Sequence, residues 1–166
     1  MKGIIYRITT ACLLVGWMFI IFFFSSQPAN TSEKMSGGVC VELVTSVNEK
    51  MELELAEDAI MNIAEQIEYP VRKLAHMTEY AVLSVLAFLF FYGYKNLPYI
   101  AAGKKRVYGI AFLLAVCYAA TDEFHQLFVA GRAGRISDVL IDAIGAVFGL
   151  LILSGIRIIL SRKRIK

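Results

Sequence analysis

VYGIAFLLAVCYAATDEFHQLFV, residues 107–129, decides the fold. At about 1.5 Å per residue this run is long enough to cross the ~30 Å hydrocarbon core of a bilayer. Its last third nevertheless carries Asp122, Glu123 and His125. A charged side chain at membrane depth costs roughly 2.5–3.5 kcal/mol or more, so such groups pair, face a cavity or do chemistry. The only other histidine, His76, opens a second apolar run and has Glu79 one turn away.

Outward from this run, three further apolar stretches occupy about 8–24, 74–94 and 139–160. With 58% hydrophobic residues and a mean hydropathy of +0.62, the chain is far more apolar than a soluble domain. None of the stretches shows the period-two alternation of barrel strands, and only helices or closed barrels satisfy every backbone group in lipid. The expectation is an all-α membrane protein with four transmembrane helices, forming a single domain over residues 1–166.

Basic residues orient it. Lys2 and Arg7 precede the first span, Lys95, Lys104, Lys105 and Arg106 fill the loop after the second, and Arg162, Lys163, Arg164 and Lys166 close the chain. By the positive-inside rule these segments, and both termini, are cytoplasmic. Residues 25–73 hold nine carboxylates against four basic residues and belong outside. The first apolar run exceeds the usual ~7–15-residue core of a signal peptide, so an uncleaved anchor is expected.

In the outer loop Val39, Leu43, Val47, Met51 and Leu55, then Ile60, Ile63 and Ile67, recur at three- to four-residue steps among acids. This pattern predicts one or two amphipathic helices lying on the bundle or at the membrane surface, with Pro70 ending them just before the second span.

The five carboxylates outside this loop are Glu79, Asp122, Glu123, Asp138 and Asp142. All fall at the outward ends of the second, third and fourth spans, as do both histidines. Residues three or four apart share a helix face, which pairs His76 with Glu79 and aligns Asp122, His125 and Gln126. Asp138, Asp142, Gly145 and Gly149 form another stripe, whose small residues permit close helix approach within one chain or between two. Arg72, Lys73, Arg132 and Arg135 rim the same surface. The spacing therefore predicts a polar pocket with a basic mouth.

Four stretches carry a family resemblance: Ser25-Ser26-Gln27, Arg72 through Tyr80, Asp122 through Arg132, and Ser137-Asp138 through Asp142 to Gly145. Together they resemble the VanZ-like family, whose founding member is tied to teicoplanin resistance. The resemblance covers nearly the whole chain except the outer loop. It implies a four-helix membrane protein linked to glycopeptide response, without an established biochemical activity. Where the family commonly reads Phe-Val-Pro-Gly-Arg this chain has Ala130, which removes a fixed backbone angle and no chemistry.

Three functions fit the pocket. Its charges can form a structural network joining the helices. It can bind a ligand, with Arg72 and Arg132 on an anionic group and Gln126 as a hydrogen-bonding residue; a lipid-linked cell-wall precursor or a lipid-tailed glycopeptide holds its polar group at this depth. Or His76, Glu79, Asp122, Glu123, His125, Asp138 and Asp142 can be catalytic, holding a divalent metal that polarises a phosphoryl oxygen or activates water. No H-E-x-x-H motif is present, and the metal idea rests on clustering alone. No acid or histidine continues into the inner half of any span, which argues against a channel. The partners expected are membrane lipids and, through the glycine stripe or an external Cys40, a second copy of the chain; no nucleic acid is indicated.

Overall fold

The computed structural model describes residues 2–94 and 104–163. Lys95, Arg164 and Lys166, assigned above to the cytoplasmic face, lie outside the described residues. Among the described residues there are five helices and no strand: α1 (Lys2–Ser25), α2 (Ala29–Met51), α3 (Glu57–Gly93), α4 (Lys104–Gln126) and α5 (Ile136–Lys163). Four of them, α1, α3, α4 and α5, are long and apolar enough to cross a membrane.

The bundle is built around α3, which packs against each of the other four helices. The faces that meet are made of small residues. On α4, Val107, Ala111, Ala115 and Ala119 recur every fourth position and are buried. On α5, Gly145 and Gly149 lie so close to α3 that a Cβ on either would overlap the backbone carbonyl of Met77 or Ala81. Ser84 of α3 donates across that seam to the carbonyl of Ala146 at 2.9 Å. Lipid supplies no hydrophobic drive between helices, so close backbone approach and interhelical hydrogen bonds must hold them together. The glycine stripe thus serves packing inside one chain.

At 37 residues, α3 is about 55 Å long, well beyond the hydrocarbon core. Its first turns stand clear of the bundle and pair with α2. There the structure departs from the expectation at Pro70, which lies inside α3 and does not end it. Pro70 removes one backbone bond, to the Gln66 carbonyl. It sits on the exposed side, and contacts from α2 carry the helix past it.

The face that α2 buries also differs from the apolar stripe. Cys40 and Val44 pack on Ala64, with Val41, Ile60, Ile67 and Val71 around them, and Ser36 donates to Glu68 at 2.6 Å. Leu43, Val47 and Met51 face outward, and Val39 is exposed beside α1 and α3. Cys40 is fully buried rather than available outside. The α2–α3 corner is closed by Asn48, whose side chain accepts the Leu55 N–H at 3.0 Å, while Glu52 and Glu54 adopt positive φ. α4 ends at Gln126, three residues before the expected end of its span, because Leu127, Phe128 and Val129 turn back onto the carbonyls of Phe124, His125 and Gln126.

Candidate functional site: an acidic centre under a basic rim

The acids gather where α3, α4 and α5 converge beside the loop end of the bundle. Asp122, Glu123 and Asp142 are 4%, 6% and 2% exposed. Gln126 sits one turn beyond the two acids of its own helix and donates Nε2 to Asp122 Oδ2 at 3.3 Å and to Glu123 Oε1 at 3.4 Å. The second Glu123 oxygen accepts the backbone N–H of Arg135 at 2.8 Å. This bond draws the 127–135 loop over the end of α4. Only glycine fits at 134, where a Cβ would overlap the Glu123 carbonyl.

Asp142, from the next helix, stands within electrostatic reach of Glu79, Asp122, Glu123 and Asp138. The Tyr80 hydroxyl lies among Glu79, Asp122 and Asp142. Asp142 Oδ2 and the Tyr80 hydroxyl are buried and find no hydrogen-bond partner among the described residues, while the Ser25 hydroxyl faces the Asp122 carboxylate. Buried polar atoms without partners are costly, so this cluster stores unused donor and acceptor capacity at one place.

The rim compensates part of the charge. Lys73 Nζ meets Asp138 Oδ1 at 2.7 Å, tying α3 to the first turn of α5. Arg72 is 3.7 Å from Glu68. His76 Nδ1 and Glu79 Oε2 are also 3.7 Å apart, longer than a hydrogen bond. Arg132 reaches across to the end of α1, where Nε donates to the Gln27 carbonyl at 3.1 Å and a terminal nitrogen to the Phe24 carbonyl at 3.4 Å. A helix end leaves such carbonyls short of partners; Arg132 serves that of Gln27 and joins the Gln27 N–H on that of Phe24. Burial, and next the charge of Arg72, pull the Arg132 guanidinium down from its ordinary value, with Asp122, Glu123 and Glu33 opposing. It stays cationic at neutral pH, so two like charges face one another at the mouth.

His125 takes another direction. Its Nε2 is 3.4 Å from the Ser26 hydroxyl and its ring is 4.8 Å from that of Phe22, both at the end of α1. It lines neither cavity described below. Trp17, which hydropathy alone reads as lipid- or helix-packed, donates Nε1 to the Glu79 carbonyl at 2.9 Å and fixes α1 against the site.

Two cavities meet at this centre. One, of about 240 Å³, is an apolar slot between α1, α2 and α3, walled by Ile21, Phe24, Met35, Val39 and Val71, with Glu79 and Asp122 at its polar end. The other, of about 230 Å³, is a polar basin bounded by Lys73, Arg135, Asp138, Glu123 and Gln126. Arg72, His76 and Arg132 line both. Of the ten residues singled out by spacing, His76, Glu79, Asp122, Glu123, Gln126, Asp138, Arg72 and Arg132 therefore border one or both cavities, Asp142 lies behind them, and His125 braces α1. Among the described residues, no three His, Cys, Asp or Glu side chains converge to hold a metal ion.

The VanZ/LLP1 family model matches residues 10–160, reaching into all five helices. The chain belongs to the VanZ/LLP1 family. No curated protein and no solved structure matches it. In this VanZ/LLP1 protein the α2 wall of the slot, Ser32, Met35, Ser36 and Val39, escaped motif reasoning because it comes from the loop that the resemblance leaves out. The only signal there was the amphipathic spacing of Met35 and Val39 with Leu43. The chain is a multi-pass membrane protein, and its site is a charged, partly unsatisfied centre reached from an apolar side and a basic one.

Proposed function

We propose that this protein lies in the bacterial plasma membrane with both termini cytoplasmic, and that the outward-facing pocket binds a lipid-linked anionic molecule of the cell envelope. In this role it serves envelope or glycopeptide response, teicoplanin included. One observation carries the proposal: the apolar slot and the basic basin share a wall at Arg72, His76 and Arg132. An amphiphile laid through the junction puts its chain against Ile21, Phe24 and Val39 and its phosphate or carboxylate between two guanidinium groups, which suit such anions in a bidentate fork. An anion there also relieves the repulsion between Arg72 and Arg132. A lipid-linked cell-wall precursor and a lipoglycopeptide both have this form.

The test is titration of the purified full chain in detergent with undecaprenyl phosphate, undecaprenol and inorganic phosphate, followed by Trp17 fluorescence. Undecaprenyl phosphate should bind at least about tenfold more tightly than the neutral alcohol, a difference of ~1.4 kcal/mol. Equal binding of the two would overturn the anion site. In cells, Arg72→Gln and Glu123→Gln at equal expression should alter teicoplanin susceptibility.

A structural network is the second reading, favoured by the way Arg132 closes α1 and Lys73 pins α5. It predicts that rim substitutions lower thermal stability and leave no ligand effect to lose. A metal-assisted hydrolase or transferase acting on a lipid phosphate has no comparable support, since among the described residues no three acids or histidines come close enough together to hold a metal ion.

A further inference from the structure

The opposite end of the bundle holds a half-buried cation that the pocket chemistry does not use. Arg157 of α5 lies over the ring of Phe88 at 4.9 Å and over that of Tyr92 at 4.7 Å, both on α3. Its Nη1 is buried without a hydrogen-bond partner among the described residues. The aromatic faces attract the cation and hold it in place, and they offer Nη1 no acceptor. Among the described residues no Asp or Glu side chain lies at this end. All fourteen lie between residues 33 and 79 or between 122 and 142, in the α2–α3 hairpin or at the far end of the helices.

Arg157 lines a cavity of about 310 Å³ with Tyr108, Ser154 and Ser161. Tyr108 and Ser154 also line a groove of about 510 Å³ between α4 and α5, whose floor is Gly109, Phe112, Val147 and Leu151 and whose terminal end carries Lys105. From Lys105 to Phe112 the groove runs about 10 Å along the helix. A cation, two hydroxyl groups and a second cation thus stand at the mouth of an apolar trough that opens sideways to lipid.

We infer that this end binds one anionic glycerophospholipid of the adjacent leaflet, its phosphate against Arg157, Ser154 and Lys105 and an acyl chain along Gly109 and Phe112. The observation that selects a lipid over a protein partner is the joining of charge and trough at membrane depth: Arg157 stands six residues before the end of α5, about 9 Å along the helix. Anionic lipids are drawn to basic residues at such a boundary. Here one guanidinium is fixed by two rings, so the attraction is local rather than spread over the surface.

The test uses the full chain purified in detergent and supplied with phosphatidylglycerol or phosphatidylcholine of the same acyl chains, read by native mass spectrometry and by melting temperature. Wild type should retain phosphatidylglycerol at least fivefold over phosphatidylcholine, and inorganic phosphate at equal concentration should not raise the melting temperature. Arg157→Gln should bring the ratio near one. Arg162→Gln, at an exposed position of the same end, should leave it unchanged. Gly109→Leu grows into open space, so it fills the trough without moving a helix and should lower retention of phosphatidylglycerol. Equal retention of the two lipids by wild type overturns the site, as does a folded Arg157→Gln variant that keeps the preference, an equal loss in Arg162→Gln, or stabilisation by phosphate alone. If Arg157→Gln does not fold, undiminished retention by Gly109→Leu overturns it.

Discussion

Gly145 of α5 rests directly on the carbonyl of Met77, with no room for a Cβ between them. The contact lies between His76 and Glu79 on one helix and one turn below Asp142 on the other, so it sets the distance at which the acids of α3 and α5 face each other. Gly145→Ala must push the two helices apart. A loss of about 1–3 kcal/mol is expected, the usual cost of overpacking a close seam. Gly16→Ala and Gly155→Ala meet nothing within 4 Å and should be neutral or stabilising by up to ~1 kcal/mol through helix propensity. Unfolding in mixed micelles measures all three, and equal effects would show that the seam is not tight.

Arg132 and Arg72 both border the two cavities, yet they are held differently. Arg132 satisfies the Gln27 carbonyl and gives the Phe24 carbonyl a second donor, and Arg132→Gln should cost about 1–3 kcal/mol, chiefly by leaving the Gln27 carbonyl bare. Arg72 has only a 3.7 Å ion pair with Glu68, in which both side chains are partly exposed, so Arg72→Gln should change stability by less than ~1 kcal/mol. Both variants should weaken undecaprenyl phosphate by roughly tenfold or more, the worth of one charge-assisted bond. A drop in stability without a drop in affinity for Arg132→Gln would count for the structural network. A stable Arg72→Gln that binds normally would take the anion site away.

The spans, the glycine stripe and the gathering of acids were legible because each is a matter of spacing along a single helix: Asp142, Gly145 and Gly149 share a face wherever the helix goes. The α2–α3 hairpin was not. Its buried side is chosen by the partner: Cys40 and Val44, and not Val39 and Leu43, are the residues that meet Ala64. Pro70 likewise reads as a stop until α2 is seen alongside it. His125 shares a helix face with Asp122 in spacing, but the end of α1 beside it, with Ser26 and Phe22, turns its ring away from the cavities. Arg132 reads as a rim charge, and its grip on Phe24 and Gln27 appears only when the loop folds back.

Lys73 and Asp138 form the shortest ion pair among the described residues, and it joins two spans. Their side chains are 19% and 21% exposed, so solvent screens the pair only in part. Asp138→Asn should cost about 1–3 kcal/mol because it leaves the ammonium facing other rim cations. The exchange Lys73→Asp with Asp138→Lys should recover part of that loss. A coupling of ~0.5–2 kcal/mol in the double-mutant cycle is expected, falling as salt is raised. No coupling would mean that the pair adds nothing to the glycine seam and the Ser84 bond.

Cys40 and Gly38 lie two residues apart on α2 and face opposite surroundings, which turns them into a test of both packing and orientation. Cys40 is fully buried, and burial, followed by the nearby Glu68, raises its thiol above the ordinary value of 9.0. Only the thiolate attacks a maleimide, so a raised value leaves less of the reactive form at any pH below it, and burial removes access besides. Native Cys40 should resist a membrane-impermeant maleimide at pH 7 and pH 8.5, and should react once the chain is unfolded in detergent. Gly38 is exposed and a side chain there meets nothing within 4 Å, so Gly38→Cys should fold normally and label within minutes on intact cells. Arg162→Cys, at the far end of the bundle, should label only after the cells are opened. Labelling of Arg162→Cys from outside with Gly38→Cys protected would reverse the chain in the membrane and place the basic basin on the cytoplasmic side, out of reach of an external envelope ligand. Rapid labelling of Cys40 itself in the native protein would show that α2 is not held against Ala64, and the slot would lose its outer wall.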